Sequence, residues 1–185
     1  MLHMEQKDYK LDIVDYLIKK EGHIRAIAKK LNINHMMVYR KLKSLLKENV
    51  VDFKKEGKNK IFFLKSTIEA RNYIFMAENY KLIQTLKNYP RLRNIIESLQ
   101  KNKKIGLVIL FGSYAKGTAK KDSDIDIYID TEDRSLKKEI TLIDSKLSIK
   151  IGKYKKDSLL IKEIEKNHII IKGIENYYEK NKFFN

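Results

Sequence analysis

The chain has 185 residues and a formal net charge of +16 at pH 7, and its apolar fraction of 43% is enough to pack one or two small domains. The absence of cysteine excludes disulfides and thiolate metal sites, and the 4 histidines show no zinc spacing. No apolar run reaches the roughly 18 residues of a membrane span, and MLHMEQKDYK lacks the apolar core of a signal peptide, so a cytoplasmic protein without a membrane partner is expected.

From Lys7 to Lys20, Leu11, Val14, Leu17 and Ile18 recur at helical spacing, and Glu21-Gly22 ends the helix. Ile24, Ile27, Ala28 and Leu31 make a second, shorter amphipathic helix. Leu31 to Asn34 form a turn, with Asn34 placed to cap a third helix from His35 to about Glu48. That helix has a core stripe of Val38, Leu42, Leu45 and Leu46, and its opposite face carries Met36, Arg40, Lys43 and Lys47. Residues 50–53 and 60–64 read as two strands joined by a basic turn containing Lys54, Lys55 and Lys58.

Residues 66–89 hold no Gly or Pro and read as one long connecting helix, with Tyr73, Met76, Tyr80 and Ile83 on one face and Phe75, Leu82 and Leu86 elsewhere. A helix apolar on more than one side needs cover, either from within the chain or from a second copy, which points to a homodimer. Pro90 starts a new helix with Leu92, Ile95, Ile96 and Leu99 inward. The expected organisation is therefore 1–65, 66–89 and 90–185, with an α+β fold. Positive charge is concentrated early. Residues 1–65 carry 16 Lys/Arg against 8 Asp/Glu, residues 66–104 carry 8 against 3, and residues 105–185 carry 16 against 13. A basic N-terminal block points to a polyanion such as double-stranded DNA.

Leu107 to Phe111 reads as a buried strand, followed by Gly112-Ser113 and the start of a short helix over Tyr114–Lys120. Glycine admits close approach of an anion, and the serine hydroxyl and free N–H groups can donate to it. Ser123 to Asp130 then alternates strictly, so Ile125, Ile127 and Ile129 share one face and Asp124, Asp126, Tyr128 and Asp130 the other. Two carboxylates spaced in this way can hold a hard cation such as Mg2+. A helix over Arg134–Asp144, a strand over Leu147–Gly152, a helix over Asp157–Asn167 capped by Asp157 or Ser158, a strand over His168–Lys172 and a last helical turn over Ile174–Lys180 complete the chain.

Two resemblances follow from these patterns. Three helices, a hairpin and the segment LNINHMMVYRKLKSLLKENVV resemble a winged helix-turn-helix, which implies DNA contact by Met36, Arg40, Lys43, Lys47, Lys54, Lys55 and Lys58. Gly112-Ser113, three residues, Gly117, five residues and Ser123-Asp124-Ile125-Asp126 resemble the signature of minimal nucleotidyltransferases of the DNA polymerase β superfamily. That resemblance implies binding of a nucleoside triphosphate through Gly112, Ser113 and Ser123. It also implies Mg2+ on the catalytic pair Asp124 and Asp126, with Lys116, Lys120 and Lys121 neutralising phosphate charge. The family places a third carboxylate on the strand over Leu147–Gly152, where this chain offers Ser148 and Lys150; Asp130 and Asp144 are the substitutes at hand.

Three functions fit. One is a DNA-binding regulator whose second domain binds a nucleotide. Another is an antitoxin-like enzyme that transfers a nucleoside monophosphate to a protein partner. The third is an inactive scaffold for protein contacts.

Overall fold

The computed structural model describes residues 8–184, and the chain divides after Ala77 into two compact units. In the first unit, Leu11, Ile13, Val14 and Leu17 turn one side of α1 (Tyr9–Lys19) into the core. Asp8 caps this helix by accepting from Lys10 N, so the expected start at Lys7 falls outside the described residues. His23 caps α2 (Ile24–Leu31) through Nδ1, a role periodicity does not reveal. Asn32 turns left-handed, with φ 52°, and Asn34 then accepts from Met36 N at 2.7 Å to open α3 (His35–Lys47). Val38, Leu42 and Leu45 are buried, whereas Leu46 is only half-buried.

The hairpin is longer than expected. β1 (Val51–Glu56) and β2 (Asn59–Leu64) pair antiparallel around a two-residue turn, Gly57-Lys58, so Lys54 and Lys55 lie on a strand rather than in the turn. Gly22 adds a third short edge, exchanging backbone bonds with Phe62 at 3.0 and 2.9 Å. Three helices and this hairpin form a winged helix-turn-helix.

One polar network ties the first unit together. Glu48, at the end of α3, accepts from Lys10 of α1 (2.6 Å), from Ser44 (2.6 Å) and from the Tyr73 hydroxyl. Tyr73 belongs to α4 (Ile68–Asn88), in the part that precedes Ala77. Burial works to raise the Glu48 carboxyl, but hydrogen bonds from Lys10, Ser44 and Tyr73 outweigh it and bring the pKa down to about 2.

The expected faces of α4 need correction. Ala70, Ile74, Ala77, Glu78, Leu82 and Thr85 are the buried positions, while Met76 and Ile83 are 49% and 50% exposed. Tyr73 is engaged by Glu48 rather than aligned with them. Spacings of three and four starting from Ala70 select the inward stripe, and its small residues hid it from a count of large apolar side chains.

In the second unit, Pro90–Leu92 form a single 3-10 turn that leads into α5 (Arg93–Lys101). The sheet has the order β5-β4-β3-β6 and is built from β3 (Val108–Phe111), β4 (Ile125–Asp130), β5 (Leu147–Gly152) and β6 (Ile169–Lys172). β4 and β5 run parallel, while β3 is antiparallel to both β4 and β6, which makes the fold α+β with a mixed sheet. Val108, Leu110, Ile125, Ile127, Ile129, Leu147, Ile149, Ile169 and Ile171 share one core with Ile95, Ile96 and Leu99 of α5 and with Leu136 and Ile140 of α7 (Arg134–Thr141). Because α7 stops at Thr141, Asp144 sits in the turn before β5, not on a helix, and accepts from Lys146 N at 2.8 Å.

The opposite sheet face is divided. At one end, Tyr128 begins a chain of edge-on ring contacts through Tyr154 and Tyr177 to Tyr178, the last two on α9 (Ile174–Lys180). Tyr178 donates to the wholly buried Glu78 at 2.6 Å, and Lys81 pairs with the same carboxylate at 2.8 Å. α8 (Leu159–Lys166), capped by Ser158, supplies Ile161 and Ile164 to the buried interior. At the other end of this face lie Asp126 and Ser148, with Lys150 level with Tyr128 on β5.

Glu48→Gln is expected to destabilise the first unit by about 1 kcal/mol or somewhat more, the modest figure reflecting a Glu48 side chain that is 33% exposed. A carboxyl with a lowered folded pKa contributes stability above its unfolded pKa and loses it as pH falls through the folded one. The wild-type advantage over this variant should therefore fade between pH 4.5 and about 2. Thermal melts followed by circular dichroism across that window measure it, and an unchanged gap throughout would contradict the assignment.

Candidate functional site

The site grows from the end of β3. The strand runs straight into α6 (Gly112–Lys116), so the helix begins at Gly112 and stops at Gly117, earlier than the expected Tyr114–Lys120. Gly112 has φ 68°, in the left-handed region. Phe111 pairs with Asp126 across the β3–β4 ladder, which swings the Asp126 carboxylate over the Gly112 backbone. A Cβ added at Gly112 would lie inside contact distance of Asp126 Oδ2, 3.0 Å from Cγ and 3.3 Å from Cβ. Only glycine satisfies both the dihedral and the approach.

The loop between Gly117 and β4 is closed by its own backbone. Thr118 N donates to Ser113 O at 3.0 Å, Lys120 N donates to Ser123 Oγ at 2.8 Å and Ser123 N donates back to Lys120 O at 3.1 Å. The Ser123 hydroxyl is thus part of the turn. Asp124 lies one residue ahead of β4 and is exposed, while Asp126 is on the strand and half-buried. Asp124 is therefore off the strand face on which the alternation placed it.

On the neighbouring strand, Ser148 is the parallel partner of Asp126 and Lys150 is the partner of Tyr128. Burial pushes the Asp126 carboxyl above the ordinary carboxylate range. The Ser148 hydroxyl opposes the rise, the charge of Asp124 adds to it, and the ammonium groups of Lys150 and Lys116 oppose it. Neither substitute for a third carboxylate reaches this place. Asp130 lies four residues along β4, about 13 Å away. It is already committed, accepting from Tyr154 N at 2.9 Å and pairing with Lys180 at 3.0 Å. Asp144 serves its own turn.

Asp124 and Asp126, with Ser148 beside them, offer hard oxygen donors suited to one Mg2+, an ion that takes one or two carboxylates and completes its shell with phosphate and water. Among the described residues, no group of three or more acidic or imidazole side chains is gathered where it could hold a metal ion. A second ion has no donor set of its own.

In the first unit, Met36, Arg40, Lys43 and Lys47 all reach solvent from α3, joined by Tyr39. Lys55 and Lys58 are exposed on the wing, but Lys54 is drawn to Glu21 (2.6 Å) and Glu56 (3.5 Å). A concavity of about 510 Å³ at the α2–α3 turn is lined by Arg25, Lys29, Asn32, Asn34 and His35. Arg25 and Lys29 were not singled out from the sequence; their exposed position on α2, next to the Asn34 cap, was the available signal. Among the described residues, no helix is long and apolar enough to cross a membrane.

The mixed sheet thus carries glycine-serine directly after its first strand and an aspartate on the adjoining strand. Residues 93–177 match the family model described as Polymerase beta, Nucleotidyltransferase. No curated protein matches the chain. Among solved structures, the chain is similar to the adhesin competence repressor AdcR from Streptococcus pyogenes, with 24% identity over 49% of this chain and 67% of that one and a TM-score of 0.40. It is also similar to the homodimeric winged helix-turn-helix DNA-binding domain Mb0332 from Mycobacterium bovis, with 23% identity over 38% and 65% and a TM-score of 0.35. A third similar structure is ZitR from Lactococcus lactis, with 18% identity over 51% and 64% and a TM-score of 0.38. The chain thus spans less than two thirds of the latter two.

Gly112→Ala is expected to destabilise the second unit by about 2–4 kcal/mol, combining left-handed strain with the clash on Asp126. Pairing it with Asp126→Ala should recover part of that loss by removing the carboxylate. Chemical denaturation of the single and double variants measures this, and strictly additive losses would show that the two residues do not press on each other.

Proposed function

We propose that this protein is a DNA-binding transcriptional regulator whose nucleotidyltransferase-family domain binds a nucleoside triphosphate and transfers its nucleoside monophosphate, with release of pyrophosphate, slowly or not at all. The observation that carries the first part is the exposed face of α3. Arg40, Lys43 and Lys47 lie beside Met36 on a helix whose N-terminus is fixed by Asn34, with Lys55 and Lys58 on the adjoining wing. Arginine suits bidentate reading of guanine, while lysines suit phosphates. For the nucleotide, Gly112 and Ser113 hold the outer phosphates, and Asp124 and Asp126 hold one Mg2+ that screens them. Phosphoryl transfer by two ions needs donors for both, and the third strand contributes a hydroxyl and an ammonium instead.

Binding to duplex DNA should fall steeply with salt as counterions are released. The double variant Arg40→Ala/Lys43→Ala should bind at least about tenfold more weakly while keeping its melting temperature. Gel shifts at two salt concentrations test this, and unchanged affinity would remove the DNA reading.

The acting species is a homodimer in this proposal. Ile68, Met76 and Ile83 stay exposed along α4, opposite its inward stripe, and heptad-like spacing suits a second copy of the same helix. Met76→Glu/Ile83→Glu should convert a dimeric mass in light scattering to a monomeric one. A wild-type protein that is already monomeric at micromolar concentration would exclude the dimer.

A further inference from the structure

We infer that Lys150 supplies a cation to the phosphates of the bound nucleotide, so that the second domain holds its ligand without requiring a divalent ion. This rests on the nucleotide-binding reading above and adds the identity of the charge that neutralises the ligand. Three observations converge. Lys150 sits on the open sheet face, two positions along β5 from Ser148, the partner of Asp126. A diagonal neighbour of this kind stands roughly 7–8 Å away between Cβ atoms, within reach of a lysine's four-carbon stem. The second observation is its freedom. Four other lysines around this sheet are paired: Lys116 with Glu163 at 3.2 Å, Lys146 with Asp122 at 3.7 Å, Lys153 with Glu132 at 3.0 Å and Lys180 with Asp130 at 3.0 Å, whereas Lys120 and Lys121 are exposed on the loop before β4. Lys150 is exposed and makes no ion pair among the described residues.

The third observation is the donor set. Two carboxylates and a hydroxyl facing one ammonium form a partly balanced cluster, of net charge about −1 in place of about −2, so the cluster attracts a divalent cation less strongly. The same balance leaves a polyphosphate at Gly112-Ser113 with a ready counter-charge. The protein thereby keeps a nucleotide site when the Mg2+ on Asp124 and Asp126 is absent.

Calorimetry on the full chain, titrated in turn with each of the four ribonucleoside triphosphates and with inorganic tripolyphosphate, tests this in EDTA and in Mg2+. The wild type should bind at least one probe in EDTA with an affinity within about threefold of that in Mg2+. Lys150→Ala should lose about tenfold in EDTA, and Lys150→Arg should retain most of the affinity. Binding that appears only with Mg2+, or an alanine variant unchanged in EDTA, would overturn the role of Lys150 and leave the nucleotide reading standing. Failure of every probe under both conditions would remove both. Melting curves of each variant separate lost binding from lost folding.

Discussion

The second unit depends on how closely the Gly112 backbone approaches the Asp126 carboxylate. That approach requires β3 to end where it does, the chain to turn left-handed at once, and β4 to run antiparallel in the register that sets Phe111 opposite Asp126. Once these hold, the Gly112 backbone and a partly desolvated carboxylate lie side by side. The raised proton affinity of Asp126 is the electrostatic trace of this crowding, since burial disfavours its charge.

The two ends of that sheet face obey different physics. Around Tyr128, Tyr154 and Tyr177, rings stack edge to face and the polar groups are satisfied internally, as in the hydroxyl of Tyr154 donating to Glu165 at 2.9 Å. Around Asp126 the face is less covered, with Asp126 and Ser148 half-buried and Lys150 exposed. Rigidity is concentrated next to the place where a ligand would have to be oriented. The first unit follows the same plan. Glu48 gathers Lys10, Ser44 and Tyr73 at one end of α3, while the other face of that helix stays unpaired and positive.

Much of this was legible in the sequence because period and chemistry agreed. Alternation in Ile125 to Asp130 set the faces of β4, and Asn34 before His35 set the start of α3. What was not legible depended on partners far away in the chain. The inward stripe of α4 is written in Ala70, Ala77 and Thr85, small residues that carry little hydrophobic signal. The commitment of Asp130 to Lys180, and that of Lys54 to Glu21, are tertiary facts that no local pattern encodes. Asp124 fell just outside its strand because the Lys120–Ser123 turn holds the chain back by one residue.

The bond between Tyr178 and Glu78 spans 100 positions of sequence. During synthesis, then, the two units mature on different schedules. The winged helix has every partner it needs once residue 77 is clear of the ribosome, and it folds from contacts that are mostly close in sequence. The second unit has to wait. Until α9 emerges, the carboxylate of Glu78 lacks its hydroxyl, and the aromatic end of the sheet stays uncovered. A chain cut short within its last dozen residues would therefore carry a finished winged helix on a body exposing apolar surface, which is the kind of species that chaperones retain and proteases remove.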